Sequence, residues 1–310
     1  MEFNPKEDAQ NLHAYISGKT KDEEKLINLV TNRTNEERLK IKDEYNSSFN
    51  SDLIKDLEKE FSHHFKDVLV GLFYDPIDFD CYHIRKAVKG LGTDEDALIE
   101  ILATRTPEAI EQMKERYKIL YPGRDMVNDI KNDTSGSFLN ILLALLTYKR
   151  SSNESPDKEE CINCAKALYE ATQTKKNYVE VFTKIFTEKS LKEVQAIGAL
   201  FYKMTKINIL DQVKKLFSGD TKNALLGIIY GMLSPSEYFA MRVNDSIKGL
   251  GTKDTKLIRI LISRDEIDMP QIKDYYKRLY KKDMIDDIKG DTSGNYRKIL
   301  KLYIILLVRD

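Results

Sequence analysis

The chain repeats itself, and the repeat limits its possible folds more than any other feature does. Leu98-Ile-Glu-Ile-Leu-Ala-Thr-Arg105 returns as Leu257-Ile-Arg-Ile-Leu-Ile-Ser-Arg264 and as Leu26-Ile-Asn-Leu-Val-Thr-Asn-Arg33. A more distant copy, Phe182-Thr-Lys-Ile-Phe-Thr-Glu-Lys189, puts Lys189 at the arginine position. Asp125-Met-Val-Asn-Asp-Ile-Lys131 likewise matches Asp283-Met-Ile-Asp-Asp-Ile-Lys289. These matches define four repeats, roughly 8–75, 79–150, 157–233 and 237–310, behind a short head of residues 1–7. The most linker-like stretch is 151–156, Ser-Ser-Asn-Glu-Ser-Pro, between the second and third repeats. Each repeat has more apolar stripes than a bundle of its size can hide alone, so the four are expected to pack as one body.

The periodicity is helical. In the second repeat Ile84, Ala87 and Val88 form one stripe, and Leu98, Ile101 and Leu102 another. Ile110, Met113 and Tyr117 follow, then the short segment 126–130, then Ile141, Leu142, Leu145 and Leu146. That makes five helices per repeat, here A to E, and no strand alternation competes. The fold class expected is all-α. Thr93 before an acidic turn suits an N-cap, Arg105 suits the negative end of helix B, and Thr106-Pro107 suits the start of helix C. Short A–B and D–E connections make antiparallel pairs. If C crosses between them, the A–B and D–E loops meet at one end.

Those two loops carry the chemistry. Lys89-Gly90-Leu91-Gly92-Thr93 recurs as Lys248-Gly249-Leu250-Gly251-Thr252, and Asp133-Thr134-Ser135-Gly136 as Asp291-Thr292-Ser293-Gly294. First glycine and aspartate lie 43 positions apart in one copy and 42 in the other, the difference falling in Tyr121-Pro122-Gly123. Taken singly, each half is an ordinary helix cap. Two matched copies instead point to a calcium site (Ca2+), with carbonyls from Val88, Gly90 and Gly92 and a carboxylate from Asp133. The second copy uses Ile247, Gly249 and Gly251 with Asp291. One carboxylate per ion leaves coordination positions for a lipid phosphate, with Lys89 and Lys248 beside the same headgroup. In the first repeat Ile16, Gly18, Thr20 and Glu60 form a weaker candidate, because Thr20 replaces the second glycine. In the third, Thr174-Lys175-Lys176-Asn177 lacks glycine and Leu216 replaces the acid, so no calcium is expected there.

Composition removes other classes. Lys and Arg total 50, as do Asp and Glu, so no basic footprint for nucleic acid exists. No apolar run reaches a membrane span, and the N-terminus does not read as a signal peptide. The three cysteines, Cys81, Cys161 and Cys164, suit free thiols in a reducing compartment. None of the four histidines falls in a catalytic motif, and no nucleotide fingerprint is present, so no enzyme is expected. His63-His64 lies in the first D–E loop, where other repeats have Ser-Gly.

The repeats, the Lys-Gly-X-Gly-Thr loop and the distant acid resemble the annexin family over essentially the whole chain. The resemblance implies four five-helix repeats in one slightly curved disc with the calcium loops on its convex face. It implies a cytoplasmic protein that joins acidic phospholipid membranes peripherally when calcium rises, with self-association there a further option. The degenerate first and third repeats are also compatible with a divergent, alpha-giardin-like member from single-celled eukaryotes. That alternative is a structural protein on cytoskeletal filaments, with calcium secondary.

Overall fold

Capping residues set where the helices begin. The computed structural model describes residues 3–17, 21–249 and 251–306, and shows nineteen helices and no strand among them. The first set is α1 (Pro5–Ser17), α2 (Glu23–Thr31), α3 (Asn35–Phe49), α4 (Leu53–Glu60) and α5 (His63–Leu72). The second is α6 (Pro76–Ala87), α7 (Glu95–Leu102), α8 (Pro107–Leu120), α9 (Met126–Asp133) and α10 (Gly136–Thr147). The third is α11 (Lys158–Thr174), α12 (Tyr178–Glu188), α13 (Leu191–Thr205), α14 (Ile209–Leu216) and α15 (Gly219–Leu233). The fourth is α16 (Pro235–Ile247), α17 (Asp254–Tyr280), α18 (Met284–Asp291) and α19 (Gly294–Leu306).

The fold is therefore all-α. In the last set helices B and C both lie within α17, separated by a kink where Glu266 and Asp268 take non-helical dihedrals. No Thr-Pro pair starts a new helix here. Pro270 instead sits inside α17, where its ring conflicts with the Glu266 carbonyl and the backbone bends to avoid it. Arg264 spans the break, its Nε 2.8 Å from Asp268 Oδ1 and its guanidinium 4.5 Å from the Phe239 ring centre.

Two expectations about caps change. Asp94, not Thr93, caps α7, accepting from the Ala97 N–H at 2.9 Å. Arg105 lies beyond the end of α7, and its guanidinium is committed to another helix. It grips Asp80 on α6 with donors 2.6 and 2.9 Å away, as Arg33 grips Asp8 on α1 at 2.7 and 3.1 Å. Thr106 does cap α8, with Pro107 in its first turn. The extra residue of 121–123 falls between α8 and α9, with Gly123 at φ 78°.

A buried tyrosine on helix C ties helix D in three sets. Tyr45 donates to Asp56, Tyr117 to Asp129 and Tyr276 to Asp287, at 2.9, 2.8 and 2.8 Å. The third set has lost both partners together, with Phe201 and Gln212 buried in their places.

The chain forms two compact units, one from 1–79 with 239–310 and the other from 80–238. In the first unit α5 packs on α17 and α19 on α2; in the second α10 packs on α12 and α15 on α7. In both, helix E of each set meets helix B of its partner. Glycines let these helices approach: a Cβ on Gly71 would stand 2.6 Å from Ile262 Cδ1, and one on Gly227 2.7 Å from Ile99 Cγ2. The linker-like stretch 151–156 is no unit boundary, since it lies inside the second unit. Ser151 N–H donates to the Glu188 carbonyl at 2.7 Å, and Ser190 Oγ to the Asn153 carbonyl at 2.7 Å.

Candidate metal centre

Helices α6 and α16 both end in turns that only glycine can make. Gly90 and Gly249 sit at φ 115° and 116°, beyond the left-handed helical well, and Gly92 and Gly251 at 87° and 83°. Nothing lies within 4 Å of a Cβ added at any of the four, so the requirement is conformational and not steric. A backbone bond spans each loop, from Asp94 N–H to the Ala87 carbonyl at 3.0 Å and from Lys253 N–H to the Ser246 carbonyl at 2.7 Å. Neither bond uses a carbonyl of the candidate ligands.

The distant acids do come to these loops. Thr93 Oγ1 donates to Asp133, 2.7 Å from Oδ2 and 2.9 Å from the main-chain oxygen. Thr252 Oγ1 donates to the Asp291 main-chain oxygen at 3.0 Å. Thus the glycine loop that ends in Thr93 meets Asp133, and the one that ends in Thr252 meets Asp291. The side chains of Val88 and Ile247 are buried and anchor the loops, while Lys89 and Lys248 are exposed. Leu91 stands fully in solvent at 108% exposure. The tie made by the threonine was not anticipated from sequence. Its presence after the second glycine in both copies was the available signal.

Among the described residues, no group of three or more His, Cys, Asp or Glu is placed to hold a metal. A cation in these loops would rest on carbonyl oxygens and one carboxylate. That hard donor set fits calcium and not zinc.

The first set differs. Gly18 and Thr20 lie outside the described residues. Ile16 is buried, but Glu60 already has a cation: Lys21 Nζ lies 3.1 Å from its Oε2 and also donates to its main-chain carbonyl. The Lys21 ammonium holds the Glu60 carboxyl below the usual carboxylate range. In the third set Lys175 and Asn177 take φ 54° and 47°, inside the left-handed well, and Leu216 ends α14 where Asp133 ends α9.

The histidine pair aligns one residue away from the expected register. His63 opens α5 at φ 53°, in the place where Gly136, Gly219 and Gly294 open α10, α15 and α19 at 61°, 55° and 57°. Ser62 therefore matches the serine and His63 the glycine. His64 stands between two acids, Nε2 3.2 Å from Asp254 Oδ2 and Nδ1 3.6 Å from Asp67 Oδ2. Cys161 and Cys164 are free thiols on α11, both pushed up by burial. No helix among the described residues is long and apolar enough to cross a membrane.

An all-helical repeat protein whose glycine turns each meet a distant acid is the class these observations define. The annexin family model matches residues 7–72, 79–145 and 238–302, and so stops short of the third set. Annexin A4 of Bos taurus is 39% identical over 299 residues, covering 96% of this chain and 93% of that protein. The structure of calcium-bound annexin (Sm)1 has a TM-score of 0.84 at 29% identity, covering 97% of this chain and 90% of its own. Calcium-bound alpha-14 giardin has a TM-score of 0.85, covering 97% and 99%, but at 20% identity it speaks to the fold alone. The chain belongs to the annexin family. Calcium-dependent binding of phospholipid is a property of that family.

Proposed function

We propose that this annexin binds acidic phospholipid membranes when calcium is present, through the loops of its second and fourth repeats. The observation that carries the reading is the threonine tie, which holds Asp133 and Asp291 each beside a turn of glycine carbonyls. Val88, Gly90, Gly92 and Asp133 would hold one ion, and Ile247, Gly249, Gly251 and Asp291 another. Bound there, calcium supplies positive charge with positions left for headgroup oxygens. With one carboxylate per site the intrinsic affinity is low, and lipid and calcium must strengthen each other's binding equally.

The zero net charge assigns the attraction to the ion. Lys89 and Lys248 orient headgroups but cannot hold the protein alone, since exposed charge contacts are weak and screened by salt. Leu91 is bare in water and gains by entering the acyl boundary. The protein is on this reading cytoplasmic and peripheral, moving to membranes as calcium rises.

Sedimentation with phosphatidylserine-containing liposomes tests it. Asp133→Ala with Asp291→Ala should abolish most of the calcium-dependent pellet and leave the helical circular dichroism unchanged. Lys89→Ala with Lys248→Ala should only weaken it. Undiminished binding by the aspartate variant, or equal binding in chelator, would sink the reading. Co-pelleting with filaments in the absence of lipid would then carry the cytoskeletal one.

A further inference from the structure

In sequence the first repeat carries a related loop pair, with Thr20 in place of the second glycine and Lys21 in place of the threonine that follows it. Counting from the first glycine, Lys21 occupies the position of Thr93 and Thr252, and Glu60 that of Asp133 and Asp291. The threonine hydroxyls reach the main-chain oxygen of the acid, at 2.9 and 3.0 Å, and in the second repeat its carboxylate as well. Lys21 reaches the same two acceptors of Glu60, the main-chain oxygen and the carboxylate, the latter at 3.1 Å. A neutral donor has become a cation. Its ammonium also sits 5.2 Å from the Phe61 ring centre, at a position filled by Thr134 and Thr292 in the calcium-candidate repeats. The pair lies at the surface, with Lys21 and Glu60 keeping 35% and 29% of their side-chain area exposed.

We infer that Lys21 is a tethered cation that takes the ion's place in the first repeat, closing that repeat to calcium and fixing the number of calcium-bearing loops at two. The inference rests on the assignment of calcium to the second and fourth repeats. A divalent ion at Glu60 would have to displace the ammonium from both acceptors and then sit beside it, like charge against like charge. The threonines present no such opposition. On this account the ammonium, and not only the missing second glycine, keeps the first repeat closed.

Counting calcium separates the two causes. Crystals of the full chain soaked in calcium chloride show where ions lie, and equilibrium dialysis counts them per chain. Wild type should carry two ions, in the second and fourth repeats. Thr20→Gly supplies the missing glycine and should still carry two. Thr20→Gly with Lys21→Thr should carry three, the third beside Glu60. Circular dichroism confirms that each variant is folded. Three ions in wild type or in Thr20→Gly alone would overturn the inference, as would two in the double variant. Absence of ions from the second and fourth repeats in every variant would instead refute the underlying assignment.

Discussion

At the scale of single residues, the polar groups that matter most here are those whose partners lie far along the chain. Asp265 shows this. It is buried in the first unit, 3.7 Å from Arg38 Nη2, while Arg38 is itself satisfied by the carbonyls of Leu72, Val30 and Arg33. Burial pushes the Asp265 carboxyl up to about 7, against the opposing pull of Tyr303 and Arg38. A carboxyl raised in the folded state binds its proton more tightly there than in the unfolded chain. Its stabilising effect is therefore complete below about pH 4 and is lost as pH rises through about 7, a change of up to about 4 kcal/mol. Asp265→Asn should flatten the fall in melting temperature between pH 4 and 8 and be the more stable form at pH 8. Melts of both proteins across that range check it; parallel curves would refute it. The glycine turns and the acids at 133 and 291 were legible in the sequence, because their chemistry is local and repeated. The raised Asp265 was not, since the shift comes from tertiary burial that the sequence does not display. Lys21 was visible as a letter, but its grip on Glu60 depends on a loop closing across 39 residues.

Among the elements, the helices and their order followed from apolar period and capping chemistry. Their joins followed less well. The close join of B to C across the kink in α17 was not legible because Pro270 reads equally as a start or a kink, and the partner of Arg105 was not because Asp80 belongs to another helix. The B–E helix contacts were also hidden, since a glycine in a helical pattern does not say what approaches it. Two helical glycines, one at such a contact and one away from it, should respond oppositely to alanine. On Gly231 a Cβ would stand 2.9 Å from the Ala103 carbonyl oxygen, a backbone atom that cannot yield easily, so Gly231→Ala should destabilise by about 1–3 kcal/mol. On Gly198, inside α13, a Cβ meets nothing within 4 Å, so Gly198→Ala should stabilise by roughly 0.5–1 kcal/mol. Urea titrations of the two variants read both signs, and equal shifts would contradict the packing described.

Over the whole molecule, repeat number and fold class were readable, whereas the choice of partners was not. Similar repeats carry similar apolar faces, so nothing local says that the first set pairs with the fourth and the second with the third. Linker composition at 151–156 marks the irregular connection between the second and third sets, and such a connection can lie inside a unit. The pairing makes a prediction of its own. Residues 80–238 contain both members of one pair and should fold alone with a cooperative melt, whereas residues 1–79 lack α17 and α19, against which α5 and α2 pack, and should not. Thermal circular dichroism of the two fragments decides it. The same arrangement orders events during synthesis. The second unit is complete as soon as it leaves the ribosome, but the first set must wait for the roughly 160 residues of that unit to be made before its partner begins to emerge. At ordinary translation speed this leaves the apolar faces of α2 and α5 uncovered for about 10–30 s, a window in which holding chaperones would find their target at the amino-terminal end of the nascent chain.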